Sequence, residues 1–261
     1  MKIKHQISNL WNEGQVEYLK NYGLNIKTGH DVFQMDEDDN YFKLKEMLAR
    51  WGASDWVGTV FDKNDLKNAE HLNILSKWLN DYPQPENNYK ETCFDLSNYC
   101  SDCGIGKVQK APLRLKRDPN WGKKQTFSLN WILDEIFVRK DYYDEVLKPL
   151  GVDSMEVMLH KKDTPSETTV QLKIPVSNSE LELLGYPMEE CTSCRRKKYL
   201  PITRGFFPNF MLEEHLSIFK SKEYFGSGGA ADNKIIVSNQ LYKMFSKDRV
   251  NVAYHPIKGL I

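Results

Sequence analysis

Five cysteines are the residues of this chain best able to do chemistry. Four form two CxxC pairs, Cys100-Ser101-Asp102-Cys103-Gly104 and Cys191-Thr192-Ser193-Cys194, with 87 residues between them. Two residues between cysteines let one tight turn face both thiolates toward a single cation, at a Zn–S distance of about 2.3 Å. Cys100, Cys103, Cys191 and Cys194 are therefore expected to hold one structural zinc ion per chain. Four sulfurs complete a tetrahedron and leave no place for water or substrate. The competing reading is two separate redox pairs. A thioredoxin-like CxxC sits at a strand-to-helix junction of a βαβ unit, which neither pair resembles. Asp102 also adds negative charge, which disfavours a reactive thiolate.

Glycine after the second cysteine supplies the left-handed backbone that such a knuckle often requires. Gly104 does so in the first pair. Arg195 stands there in the second, so that knuckle must turn differently or carry strain. Cys93, seven residues before Cys100, reads as a buried core residue and not as a fifth ligand.

Basic residues follow each pair: Lys107, Lys110, Arg114, Lys116 and Arg117 after the first, Arg195, Arg196, Lys197 and Lys198 after the second. A metal that joined the pairs would join these runs into a local patch, a candidate surface for nucleic acid. The chain as a whole is neutral, with 36 basic and 36 acidic residues, which argues against binding by broad electrostatic attraction. Gly226-Ser227-Gly228-Gly229 lacks the Lys-Ser/Thr of a phosphate loop and reads as a flexible loop between helix and strand. His215, beside Glu213 and Glu214, reads as a surface or half-buried histidine. The acidic run at 36–39 reads as a solvated turn. No nucleophile–base arrangement or metal-protease spacing is present, so a non-enzymatic protein is expected.

The elements that must position the cysteines are read from apolar periodicity. A helix is expected over 41–51, with Leu44, Met47, Leu48 and Trp51 on one face and Gly52 as its stop. A strand is expected over 56–61. Leu66, Ala69, Leu72, Leu75 and Leu79 predict a helix over 65–80, and 131–150 a longer one closed by Gly151. The stretch 89–99 reads as extended, leading into the first pair, and 111–116 as a strand leaving it. Strands over 155–159 and 169–174 suit a hairpin. Asn209 is expected to cap a helix that turns Leu212, Leu216 and Phe219 inward. Ile235-Ile236-Val237 is a strand, Ser238 caps a helix carrying Leu241, Met244 and Phe245, and 250–254 is a last strand. This mixed order predicts an α+β fold, with mixed helices and short strands around one core and an embedded four-cysteine, zinc-ribbon-like module. Its expected division is an N-terminal α/β part, 1–88, and a knuckle-containing part, 89–261, packed as one unit.

No stretch approaches the ~18 apolar residues of a membrane span, and the start lacks the apolar core of a secretory signal. A cytoplasmic protein with no membrane partner is expected. Reduced thiols in that compartment favour metal ligation over disulfides.

The two CxxC pairs, the stretch from Cys103-Gly104 to Gln109-Lys110, and the close Ile235-Ile236-Val237-Ser238-Asn239-Gln240-Leu241-Tyr242 with Tyr254-His255-Pro256 resemble bacterial double-CXXCG motif proteins. The closing segment is similar to that of some immunity proteins of polymorphic toxins. The resemblance covers mostly 89–261 and departs from the double motif at Arg195. It implies a bacterial cytoplasmic protein that binds and neutralises a cognate toxin.

Overall fold

The computed structural model of the chain describes residues 1–212 and 215–257. They form two units, Met1–Asp65 with Ile202–Phe206, and Leu66–Pro201 with the chain from Phe207 onward. The break falls after Asp65 and not after residue 88, and the first unit takes back a short segment from late in the sequence.

In the first unit, β1 (Lys2–Trp11), α1 (Glu13–Lys20), β2 (Gly29–Asp36), α2 (Asp39–Arg50) and β3 (Ser54–Val60) alternate. The strands make an antiparallel sheet in the order β2-β1-β3. Both helices start on side-chain caps. Asn12 and Gln15 form a capping box, and Asp38 accepts from the amides of Asn40 and Tyr41, replacing partners that the first helical turn lacks. The expected apolar face of α2 is present: Leu44 and Leu48 are buried against Ile7, Trp11, Leu19 and Phe33, with Trp51 packed alongside. The acidic run is more than a solvated turn. Asp38 is a cap, and Glu37 bonds His5 Nε2 at 3.1 Å and Arg204 at 2.5 Å.

The second unit carries most of the strands. β4 (His71–Ser76) lies inside a six-stranded sheet with β12 (Met188–Glu190), β13 (Lys197–Tyr199), β14 (Ile218–Phe225), β15 (Asp232–Ser238) and β16 (Val252–Pro256). Its order is β12-β13-β14-β15-β4-β16. A five-stranded sheet contains β7 (Arg114–Leu115), β8 (Thr126–Leu129), β9 (Ile132–Arg139), β10 (Ser154–Leu159) and β11 (Thr164–Leu172), in the order β7-β10-β11-β9-β8. Residues of both sheets share one core with α6 (Asn239–Lys247): Leu72, Ile74, Ile136, Val138, Leu172, Ile235, Val237, Leu241 and Phe245. A second core, around the stacked Phe127 and Phe137 rings, seats α4 (Tyr89–Cys93), and Cys93 is fully buried in it.

Several expected elements differ. The helix over 65–80 is only α3 (Lys63–Asn68). Leu72 and Leu75 belong to β4, where pairing with β15 and β16 overrides a helical spacing; Leu79 lies beyond that strand, and Leu75 and Leu79 are left exposed. The helix over 131–150 is β9 for its first half, a strand buried on both faces except at Leu133. Such a strand has no alternation to reveal it. Helical turns begin only at α5 (Lys140–Tyr142) and continue to Leu150, where Gly151 closes them in the left-handed region. The extended stretch 89–99 opens with α4. Among the described residues no helix follows Asn209, with Leu212 and Leu216 exposed and Phe219 buried in β14; Glu213 and Glu214 lie outside the described residues. The β10–β11 hairpin and the Ser238-capped α6 form as expected.

Candidate metal centre

Each cysteine pair is the loop of a small hairpin. β5 (Phe94–Asp95) pairs with β6 (Val108–Gln109) around the first, and β12 pairs with β13 around the second. Within the loops the backbone repeats itself. The Cys100 amide donates to the Ile105 carbonyl at 2.9 Å and the Gly104 amide to the Cys100 carbonyl at 2.8 Å. In the second loop the Cys191 amide donates to Arg196 at 3.0 Å and the Arg195 amide to Cys191 at 2.9 Å. Gly104 and Arg195 both adopt positive φ, 81° and 62°. The second knuckle thus makes the same turn and carries the strain.

The two loops meet. Cys100 Sγ lies 3.8 Å from Cys191 Sγ, and Cys103 Sγ lies 3.6 Å from Cys194 Sγ. All four sulfurs fall within 4.8 Å of one another. A tetrahedron with metal–sulfur bonds of about 2.3 Å has edges of about 3.8 Å, whereas a disulfide would need about 2.0 Å, and all five cysteines are free. The donor set therefore fits one metal ion. Cys93 stands apart, its thiol 3.5 Å from the Pro112 carbonyl.

The surroundings lock the loops together. The Ser193 hydroxyl donates to the Asp102 carboxylate, so the central residues of the two knuckles bond each other. Arg196 Nε donates to Cys194 Sγ at 3.3 Å. That bond, with the Arg196 backbone amide, pulls the Cys194 thiol down to about 6 and favours its thiolate. Burial pushes the Cys103 thiol the other way, up to about 11. A bound cation would overcome this, because a coordinated thiol is deprotonated outright. Gly104 is fixed by space as well as by φ: a Cβ there would lie 2.4 Å from the Gly229 carbonyl oxygen. The glycine-rich segment is accordingly a tight β14–β15 connection packed on the first knuckle, not a loose loop between helix and strand.

The basic residues do not form one patch. Lys198 is 2% exposed. Its ammonium donates to the carbonyls of Cys103 at 3.2 Å, Ala230 at 3.0 Å and Gly228, stitching β13 to the first knuckle and to the glycine loop. Lys107 lies 3.8 Å from Asp134 and 3.9 Å from Asp232. Arg114 pairs with Asp163, and Arg195 with Glu190 at 3.8 Å. Lys110, Arg195 and Lys197 are exposed. The sequence reading missed the Lys198 contacts, the Arg196–Cys194 bond and the Asp102–Ser193 bond. One signal was available: Arg196 follows Cys191 by the same five residues that separate Ile105 from Cys100.

Among the described residues, no helix is long and apolar enough to cross a membrane. The chain matches no protein-family model, no curated protein and no solved structure.

Proposed function

We propose that this chain is a non-enzymatic, zinc-stabilised bacterial binding protein of the cytoplasm, of the kind that neutralises a cognate toxin. The observation that carries the metal assignment is the convergence of four sulfurs to within 4.8 Å. An all-thiolate, tetrahedral donor set suits zinc. Two hairpins, each with a knuckle at its tip, support the reading of a zinc-ribbon-like module. Such a site contributes on the order of 10 kcal/mol in small zinc folds. It also ties β5–β6 to β12–β13 across a long stretch of chain. The test is metal content per chain: one zinc in the wild type and none in Cys191→Ser. Equal content in both sinks the assignment.

A protein that acts by binding needs a rigid surface and no reactive centre, which a closed site of four thiolates is suited to support. The toxin partner itself rests on the double-CXXCG resemblance together with the closing segment's similarity to immunity proteins of polymorphic toxins. Co-expression with a toxin gene from the same neighbourhood should rescue growth, and failure to rescue or to bind its product counts against it. The nucleic-acid alternative leans on the exposed Lys110, Arg195 and Lys197 and predicts a salt-sensitive gel shift.

A further inference from the structure

We propose that the cavity between Trp131 and the glycine-rich β14–β15 connection binds a flat aromatic molecule bearing a single anionic group, its ring against Trp131 and its anionic group on Lys90. The cavity has a volume of about 650 Å³, the size of a small-molecule site. It lies wholly in the second unit and is independent of the toxin reading.

Trp131 occupies the second position of the two-residue turn between β8 and β9, closed by the Leu129–Ile132 pair. Its φ is 67°, a conformation that suits glycine and strains a bulky side chain. The ring nevertheless stays 53% exposed, so core burial does not account for it. Two tyrosines hold it in place: Tyr89 lies 5.9 Å away and nearly parallel at 23°, and Tyr82 lies 4.5 Å away. Strained residues braced by their surroundings cluster at ligand sites, and an exposed, braced indole offers a face for stacking. Beside Asn87 and Leu133, the lining includes Gly104, Gly229, Ala230 and Ala231, which bring no side chain larger than a methyl into the space.

The charges choose the ligand. Lys107 is committed to Asp134 and Asp232. Lys90 is half-buried, bonds only the Tyr99 hydroxyl at 3.0 Å, and has no carboxylate within 4.0 Å among the described residues. That hydroxyl holds the ammonium above its usual range, so Lys90 offers a cation with no acid partner. Glu86 and Glu91 at the rim would repel a polyphosphate, which limits the ligand to one anionic group. Asp232 also lines the cavity; its Oδ1 faces Lys107 at 3.9 Å and its carboxylate accepts no side-chain hydrogen bond among the described residues, which leaves it able to accept from a ring N–H.

The shared chemistry is that of a nucleoside monophosphate or an aromatic carboxylate, and calorimetric titration of the full, metal-loaded chain separates them. The probes are AMP and indole-3-acetate, with adenosine and indole-3-ethanol as their uncharged counterparts. One of the two anions should bind at a single site, at least about tenfold more tightly than its uncharged counterpart. Lys90→Met should erase that advantage. Trp131→Gly should weaken binding by about tenfold or more, while melting close to the wild-type temperature because the turn favours glycine. Neither variant touches a cysteine, so the result is separate from the zinc assignment. The proposal is overturned if neither anion saturates the protein, or if either variant binds as the wild type does.

Discussion

Gly104 and Arg195 occupy the same left-handed corner of two equivalent knuckles, with φ of 81° and 62°, yet only one of them is free to change. Beside Gly104 the Gly229 carbonyl leaves no room for a Cβ, whereas Arg195 is exposed. Gly104→Ala should therefore cost about 2–4 kcal/mol, from overpacking and an unfavourable φ together, and should release metal to a chelator more readily. Arg195→Gly should keep its metal and stay level or gain up to about 1 kcal/mol. Thermal melting and chelator competition on the two variants decide this. Equal losses would mean that the glycine connection does not press on the first knuckle.

Lys198 and its neighbour Lys197 make a second contrast. Both belong to the basic run after Cys194, but Lys197 faces solvent and the Lys198 ammonium satisfies the carbonyls of Cys103, Gly228 and Ala230. Lys198→Met strands buried acceptors and should cost about 2–4 kcal/mol. Lys197→Met should stay within about 0.5 kcal/mol. Denaturant midpoints at fixed metal give the comparison, and a Lys198→Met as stable as Lys197→Met would show that the run is a solvated edge.

The first unit should respond to acid through Glu37. The Arg204 guanidinium holds its carboxyl below the ordinary glutamate range, against the opposing effect of burial, and His5 adds to the lowering. A carboxyl whose folded pKa is depressed stabilises the fold above its unfolded pKa, and that contribution is lost as pH falls through the lower, folded value. Stability of the first unit should thus decline as pH drops through and below the ordinary carboxylate range, and Glu37→Gln should flatten that decline. An unchanged acid limb in Glu37→Gln would remove Glu37 from the account.

The metal ligands were legible because a CxxC carries its geometry in its spacing, and α2 and α6 because their caps and apolar faces are local. β4 and β9 were not. Their leucines and isoleucines fall at helical intervals; strands distant in sequence, β15 and β16, make β4 extended, and β9 is held between its hairpin neighbour β8 and the distant β11. The return of Ile202–Phe206 to the first unit was equally hidden. It is held by Thr59, whose hydroxyl donates to the Thr203 carbonyl at 3.0 Å and accepts from the Gly205 amide at 2.8 Å. No local pattern announces such a contact. Lys198 misled for the opposite reason: a lysine in a basic run reads as solvated, and its burial depends on three carbonyls contributed by the first knuckle and the glycine loop.

The buried ion pair of Lys220 on β14 and Glu135 on β9 is the strongest test of how the second unit is held together. Both residues are under one-tenth exposed, and burial drives the Glu135 carboxyl up while the neighbouring Lys220 pulls it down. Gln171 donates to Glu135 at 3.1 Å and to Gln109 at 2.7 Å. Gln109 sits on β6, the strand leaving the first knuckle, so a polar chain runs from the Lys220–Glu135 ion pair to that strand. Removing one charge leaves the other unpaired where water cannot reach it, and Lys220→Met alone should cost about 3–5 kcal/mol. Replacing both, Lys220→Met with Glu135→Leu, removes the two desolvation penalties together and should recover most of that loss. The residual deficit then measures what Gln171 loses with its acceptor, about 1–3 kcal/mol. A double-mutant cycle by chemical denaturation reads all of these terms. If Lys220→Met alone is nearly neutral, water or a shifted proton already relieves the pair, and the polar chain contributes nothing to holding β6 and its knuckle in place.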